Sequence, residues 1–139
     1  MKELEIFIDG AAKGNPGPSG IGVVICRHGE TIKNVSNYIG TATNNVAEYT
    51  ALIHGLQEAL LLKAESVKVR TDSELLYRQI LKTYKIKNKN LQVLYNQAMA
   101  LASGLKDFSV IHIPRERNRG ADKLANLAIK NALPSARIL

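Results

Sequence analysis

The first forty residues alternate between apolar and polar positions in the way that β-strands do. Residues 4, 6 and 8 are apolar, and the alternation stops at Asp9, which predicts a strand that ends in a loop. The next segment, GAAKGNPGPSG, is rich in glycine and proline and predicts a turn region. Residues 21–27 and 30–39 predict two further strands joined by a turn at His28 and Gly29, so we expect an antiparallel meander.

The pattern changes to a helical period between residues 43 and 63. Apolar residues at 49, 52, 53, 56 and 60 lie on one stripe, and Thr43 or Asn44 is placed to cap the helix. The rest of the chain predicts a strand at 66–71, helices at 74–81 and about 91–105, a strand at 108–113, a charged loop at 114–120 and a helix at 121–132. This order predicts an α/β fold in which a five-stranded mixed sheet, the meander plus two parallel strands, is flanked by helices.

Four of the 12 acidic residues stand at positions where a purely structural role is hard to defend. Asp9 and Asp72 each follow an apolar strand, at the carboxyl edge of a sheet where ligands usually bind. If the two strands are parallel neighbours, these carboxylates lie side by side. Glu48 precedes Leu52 and Leu56 by four and eight residues, so it shares their face of the helix and points toward the sheet.

A fourth acidic residue, Asp122, shares a helical face with Ala125 and Ile129. Clustered, buried carboxylates repel one another, so such a group persists mainly when a cation neutralises it. Oxygen ligands and the lack of a cysteine or histidine cluster at zinc spacing indicate Mg²⁺ or Mn²⁺, with room for two ions. Taken singly, Asp9 could also be a turn residue, Asp72 a helix cap and Asp122 a partner of the helix dipole.

Composition narrows the class of protein. With 139 residues, 45% of them hydrophobic, residues 1–139 are expected to form one domain. The net charge of +7 favours an anionic partner. The single cysteine, Cys26, lies in an apolar run and excludes an intrachain disulfide. No segment has the length of a signal peptide's apolar region or of a membrane span, so we expect a cytoplasmic protein without membrane contact.

Four segments resemble the type 1 ribonuclease H family, and together they cover almost the whole chain. They are FIDGAAKGNPGPSGIG, TATNNVAEYTAL, VRTDSELLYRQI and RERNRGADKLANLA. The resemblance implies the ribonuclease H-like fold and two-metal hydrolysis of the RNA strand of an RNA–DNA hybrid, giving 5′-phosphate and 3′-hydroxyl ends. It also implies that Asp9, Glu48, Asp72 and Asp122 are the catalytic and metal-binding residues.

The same resemblance implies residues that contact the substrate. Asn15, Asn44 and Asn45 would meet the hybrid in its minor groove, and Thr43 would meet a DNA phosphate. Amides suit recognition of a 2′-hydroxyl, which separates RNA from DNA, because they both donate and accept hydrogen bonds. Asn118, four residues before the last aspartate of the set, is a further substrate-binding candidate.

Two segments depart from the family pattern. Many members carry a histidine in the loop before the last aspartate, whereas this loop, PRERNRG, has none; Arg115 or Arg117 could substitute, or Glu116 could hold an ion. The lysine-rich segment 82–90 is too short for the long basic protrusion of some members. Lys85 and Lys87 are still candidates for phosphate contacts, although a solvated loop explains them as well.

Two other functions remain open at this point. The first is another nuclease or an integrase of the same broad fold, acting on DNA strands or junctions; the TNN and GNPGP motifs speak against it. The second is a binding module that grips nucleic acid without cutting it, which would gain nothing from clustered carboxylates beside phosphates. For a ribonuclease H we expect a monomer whose partner is an RNA–DNA hybrid.

Overall fold

The computed structural model describes residues 3–133, and its elements follow the predicted order. The strands are β1 (Glu3–Ala12), β2 (Gly17–Arg27), β3 (Glu30–Ala42), β4 (Ser66–Thr71) and β5 (Asp107–His112). The helices are α1 (Asn44–Leu61), α2 (Glu74–Ile80), α3 (Lys89–Ala102) and α4 (Arg119–Ala132), with a short 3-10 helix at Arg115–Arg117. No helix in residues 3–133 combines the length and the apolar character that crossing a membrane requires.

The five strands form one mixed sheet in the order β3-β2-β1-β4-β5. β1 and β2 pair antiparallel, as do β2 and β3, whereas β4 pairs parallel with both β1 and β5. The predicted meander with two added parallel strands is therefore confirmed. In the parallel pair of β1 and β4, Ile8 lies opposite Thr71, so Asp9, within β1, and Asp72, directly after β4, lie side by side where the parallel pairing ends.

Helices cover both faces of the sheet. α1 contacts β1 and β2, and α3 packs on α1. The apolar residues of the sheet that face α1, with the stripe of α1 itself, form the fully buried part of the core; examples are Ile6, Ile8, Val23, Leu52 and Leu56. α4 contacts β2 and β3 from the opposite face, because side chains alternate along a strand.

The glycine-rich segment does not form a turn throughout, which corrects the prediction. β1 continues to Ala12 and β2 begins at Gly17, so only residues 13–16 connect the two strands. Gly20 shows the physical reason, because a Cβ there would overlap the Ala125 carbonyl oxygen in α4. This glycine permits close approach of a helix to the sheet, which glycine content alone does not distinguish from a turn.

Several other boundaries differ from the prediction by one to three residues, and those of α3 and α4 illustrate this. α4 begins two residues earlier than expected, at Arg119, and part of the charged loop before it forms the 3-10 helix. α3 runs from Lys89 to Ala102 instead of 91–105. Thr43 is the cap of α1, because its side chain accepts a hydrogen bond from the Val46 N–H. The C-terminal tail PSARIL lies outside the described residues.

Candidate active site

Three carboxylates converge at the carboxyl edge of β1 and β4. One carboxylate oxygen from each of Asp9, Glu48 and Asp72 lies within 4.8 Å of the others. Asp9 and Asp72 come from the two parallel strands, as their sequence positions predicted, and Glu48 reaches them from the first turns of α1. The group lines a cleft of about 510 Å³. Such a set of oxygen ligands can hold a hard divalent cation.

Close contact between α1 and β1 sets the position of Glu48. A Cβ at Gly10 would overlap the backbone at Ala47 and Glu48, so only glycine permits this approach. The Gly10 N–H donates a hydrogen bond to Glu48 Oε1, and the Glu48 side chain is only 8% exposed. The helix therefore delivers this carboxylate to the strand edge instead of to solvent, as the helical spacing predicted.

Asp122 lies at the side of this group, in the first turn of α4. It lines the same cleft, but it is not one of the three residues whose carboxylate oxygens lie within 4.8 Å of one another. Asn126, one helical turn further on, donates hydrogen bonds to the Asp122 carbonyl at 2.9 Å and to its Oδ1 at 3.2 Å. Asn126 was not among the residues predicted from the sequence, although its spacing of four from Asp122 is a usable signal.

Within the described residues, none of these carboxylates forms an ion pair with a cationic side chain. The ion pairs formed within residues 3–133 are Lys33–Glu58, Arg70–Glu5 and Lys106–Glu65, and none includes a member of the group. Burial, with repulsion from Glu48 and Asp72, raises the pKa of Asp9 to about 9. Burial likewise raises the pKa of Glu48, although the hydrogen bond from Gly10 works in the opposite direction. The site therefore favours positive charge, supplied either by protons or by a metal.

Asn118 lies beneath the cleft and not on its surface, which corrects its prediction as a substrate-binding residue. Its side chain is 1% exposed. The Nδ2 group donates to the Ile8 carbonyl at 2.8 Å and to Asp72 Oδ2 at 3.3 Å. A residue so buried cannot reach a substrate strand. It ties the Asp72 carboxylate to the end of β1, so we assign it a positioning role.

The asparagines predicted to contact the substrate form one exposed rim of the cleft. Asn44 Oδ1 accepts from the Ala12 N–H at 3.1 Å, and Asn15 Oδ1 accepts from the Asn44 N–H at 2.9 Å. Backbone N–H groups can only donate, so these bonds fix both amides with their nitrogens available for a ligand. Asn45 also lines the cleft, and Thr43 caps the same helix.

The remaining residues predicted to bind the substrate or to replace the loop histidine lie in different parts of the structure. Arg115 lines the cleft with the carboxylates. Lys85 instead lines a different cleft, of about 350 Å³, between α2 and α3, and Lys87 is exposed in the same segment. His112 ends β5; its ring stacks on Tyr77, and its Nε2 lies 3.3 Å from the Asp72 carbonyl. Only Arg115 of this set therefore shares the carboxylate cleft.

Comparisons with known proteins agree with this geometry. The sequence model of the Reverse transcriptase-like family matches residues 7–128. The crystal structure of ribonuclease H1 from the halophilic archaeon Halobacterium salinarum superposes with a TM-score of 0.91 and 35% identity, covering 93% of this chain and 98% of that one. LC11-RNase H1, solved in complex with an RNA/DNA hybrid, gives a TM-score of 0.88 and 43% identity, with 94% and 99% coverage.

A longer protein also matches. A bifunctional protein of Mycobacterium tuberculosis is 44% identical over 136 residues, which are 96% of this chain. The chain spans 37% of the length of that relative. From the matched segment, the fold and the identities above, the chain belongs to the type 1 ribonuclease H family.

Proposed function

We propose that this chain is an endoribonuclease that hydrolyses the RNA strand of RNA–DNA hybrids and leaves 5′-phosphate and 3′-hydroxyl ends. The observation that carries the proposal is the group of Asp9, Glu48 and Asp72 at the edge of the sheet, in which Asp9 and Glu48 are buried and Asp72 is half-buried. The hybrid as substrate is supported by LC11-RNase H1, a structural neighbour solved with an RNA/DNA hybrid.

The carboxylate group fits hard divalent cations. Its ligand atoms are all oxygens within 4.8 Å of one another, and within residues 3–133 no ion pair with a cationic side chain compensates their charge. We propose that Asp9, Glu48, Asp72 and Asp122 hold two Mg²⁺ or Mn²⁺ ions. When bound, such ions lower the pKa of an attacking water and neutralise charge on the phosphodiester.

The protein's own residues have separate tasks in this reaction. Gly10 and Asn118 hold the carboxylates of Glu48 and Asp72 through hydrogen bonds, and Asn126 holds Asp122. Preorganised groups of this kind reduce the rearrangement that the reaction would otherwise require. In the hydrolysis itself the water oxygen bonds to phosphorus, the bond from phosphorus to the 3′ oxygen breaks, and that oxygen takes up a proton.

The exposed asparagine rim supplies the selection for RNA. The free amide nitrogens of Asn15 and Asn44 can donate to a 2′-hydroxyl, which a DNA strand lacks. Asn45 lies beside them at the start of α1. The Thr43 hydroxyl accepts a hydrogen bond from Val46 N–H and keeps its own proton for a phosphate of the DNA strand.

Cleavage of an end-labelled hybrid tests the proposal. The RNA-labelled hybrid is incubated with Mg²⁺, Mn²⁺ or a chelator, beside the matching DNA duplex, RNA duplex and single strands. The expected result is metal-dependent loss of the hybrid's RNA alone. Asp72→Asn should lower this rate by at least about two to three orders of magnitude. Asp107→Asn is the matched control, because Asp107 is exposed at the start of β5, away from the cleft.

Other results would assign a different function. Metal-dependent cutting of the other substrates would indicate a nuclease of different specificity, and hybrid binding without cutting would indicate a binding module. Full activity of Asp72→Asn would contradict the site assignment. We further propose that residues 1–139 act as one monomeric unit in the cytoplasm; sedimentation of the purified chain tests its oligomeric state.

A further inference from the structure

A second groove continues from the candidate active site along α4. It has a volume of about 430 Å³ and is lined by Lys13, Lys123, Lys130, Leu127, Asn126 and Asp122. We call it the lysine groove. Asp122 and Asn126 line both this groove and the carboxylate cleft. The two depressions therefore share a wall, and a strand that reaches the carboxylates can continue into the groove.

The lysine groove concentrates positive charge from two separate elements. Lys13 comes from the connection between β1 and β2, and Lys123 and Lys130 come from α4. All three are exposed, and within residues 3–133 none takes part in an ion pair with a carboxylate. Asp122 is the single acidic residue of the lining. The groove is thus cationic and adjoins an anionic site. This arrangement suits a polyanion that is held by the lysines while its reacting bond lies at the carboxylates.

The spacing of the lysines matches a nucleic acid strand. Lys123 and Lys130 are seven residues apart, so they lie on the same face of α4 about 10 Å from one another. A strand in a duplex advances by about 3.4 Å for each nucleotide, so this distance corresponds to about three nucleotides. Leu127, which is 40% exposed, lies between the two lysines on this face and offers an apolar contact for sugars.

We propose that the lysine groove binds phosphates of the RNA strand over about three nucleotides on one side of the cut bond. The inference rests on the proposed function, because the groove is assigned to the strand that reaches the carboxylates. It adds a site for the substrate that is separate from the asparagine rim. Its contribution is to affinity, since no lysine of the groove belongs to the carboxylate group.

Two triple variants with the same loss of charge test this site. The first replaces Lys13, Lys123 and Lys130 by glutamine. The control replaces three exposed lysines away from both clefts, namely Lys63→Gln, Lys68→Gln and Lys106→Gln. The groove variant should raise the KM for hybrid cleavage by about tenfold or more and leave kcat at saturation unchanged. The slope of log(kcat/KM) against the logarithm of the salt concentration should become less steep by about 2 to 3. Each lost phosphate contact removes about 0.9 from this slope. The control variant should change the KM and the salt slope by less than half as much as the groove variant does.

Binding of the hybrid in the presence of a chelator tests the lysine groove independently of cleavage. Fluorescence anisotropy with a labelled hybrid then reports affinity without cleavage, and the groove variant should again bind about tenfold more weakly than the control. Equal affinity and equal salt slope in the two triple variants would overturn the groove assignment, even if the parent chain cuts hybrids. Failure of the parent to cut, with groove-dependent binding intact, would overturn the proposed activity and not the groove.

Discussion

The carboxylate group should destabilise the folded chain when no cation is bound, and Asp9→Asn should remove much of this effect. Burial, with repulsion from Glu48 and Asp72, raises the pKa of Asp9 from 3.8 to about 9. The unfolded chain ionises this group at its ordinary value, whereas the folded chain keeps the proton. The stability contributed by Asp9 is therefore fully present below pH 3.8 and is lost as the pH rises toward 9.

The size of the effect at pH 7 follows from the difference between that pH and the ordinary pKa of 3.8, because the folded-state pKa of about 9 lies above pH 7. At pH 7 folding must take up a proton, and each pH unit above 3.8 costs about 1.4 kcal/mol, or roughly 4 kcal/mol in total. Asparagine carries no titrating proton. The metal-free variant should therefore be more stable than the parent by about 2 to 4 kcal/mol at pH 7, the lower figure allowing for hydrogen bonds that an amide cannot make.

Urea unfolding in a chelator, followed by circular dichroism at several pH values from 4 to 9, measures this difference. The gain in the free energy of unfolding should shrink toward pH 4. Asp107→Asn, at an exposed position, should stay within about 0.5 kcal/mol of the parent. Excess Mg²⁺ should stabilise the parent and not Asp9→Asn, because only the parent keeps the full set of ligands. A parent and variant with equal stability at pH 7, or with a difference independent of pH, would refute the reasoning.

Three further substitutions test individual contacts. Asn118→Ala should lower kcat by about 10- to 100-fold with little change in KM, because the Asn118 amide holds the Asp72 carboxylate. Steady-state kinetics with the hybrid measures this, and an unchanged kcat would exclude the positioning role. Tyr49→Phe should lower the free energy of unfolding by about 1 to 3 kcal/mol without altering kcat, since it removes a buried 2.6 Å hydrogen bond to Gln79. Urea unfolding measures the loss of stability, and steady-state kinetics measures kcat. Gly22→Ala should cost about 1 to 3 kcal/mol or more in urea unfolding, because its Cβ would overlap the Ala121 carbonyl oxygen. A fully stable Gly22→Ala chain would contradict the packing of α4 on the sheet.

The positions of the first three carboxylates were predictable from the sequence because local patterns determine them. Asp9 directly follows the alternating apolar residues of β1 and Asp72 directly follows β4, and parallel pairing of the two strands places such residues together. Glu48 lies on the apolar face of an amphipathic helix, so its burial follows from a spacing of four to Leu52. Each of these inferences needs only the period of one element and the edge at which it ends.

Other features depend on contacts between distant parts of the chain, which periodicity does not report. Gly20 lies within β2 because α4, about a hundred residues later, packs against it. Asn118 is buried because its amide meets the Ile8 carbonyl and Asp72, and nothing in the loop PRERNRG indicates that contact. The lysine groove likewise unites Lys13 with residues of α4. Sequence spacing within one element cannot show such pairs.

The four acidic side chains come from β1, α1, the end of β4 and α4, so they are far apart along the chain. No supersecondary unit of the fold carries more than part of the set. A chain that has formed the meander but has not yet docked its last helix therefore holds no complete hydrolytic centre. Long-range contacts of this kind form late, because the connecting chain must first lose its conformational freedom. Enzymatic activity should consequently disappear together with the global structure during denaturation, and an incompletely folded molecule should be unable to cut RNA.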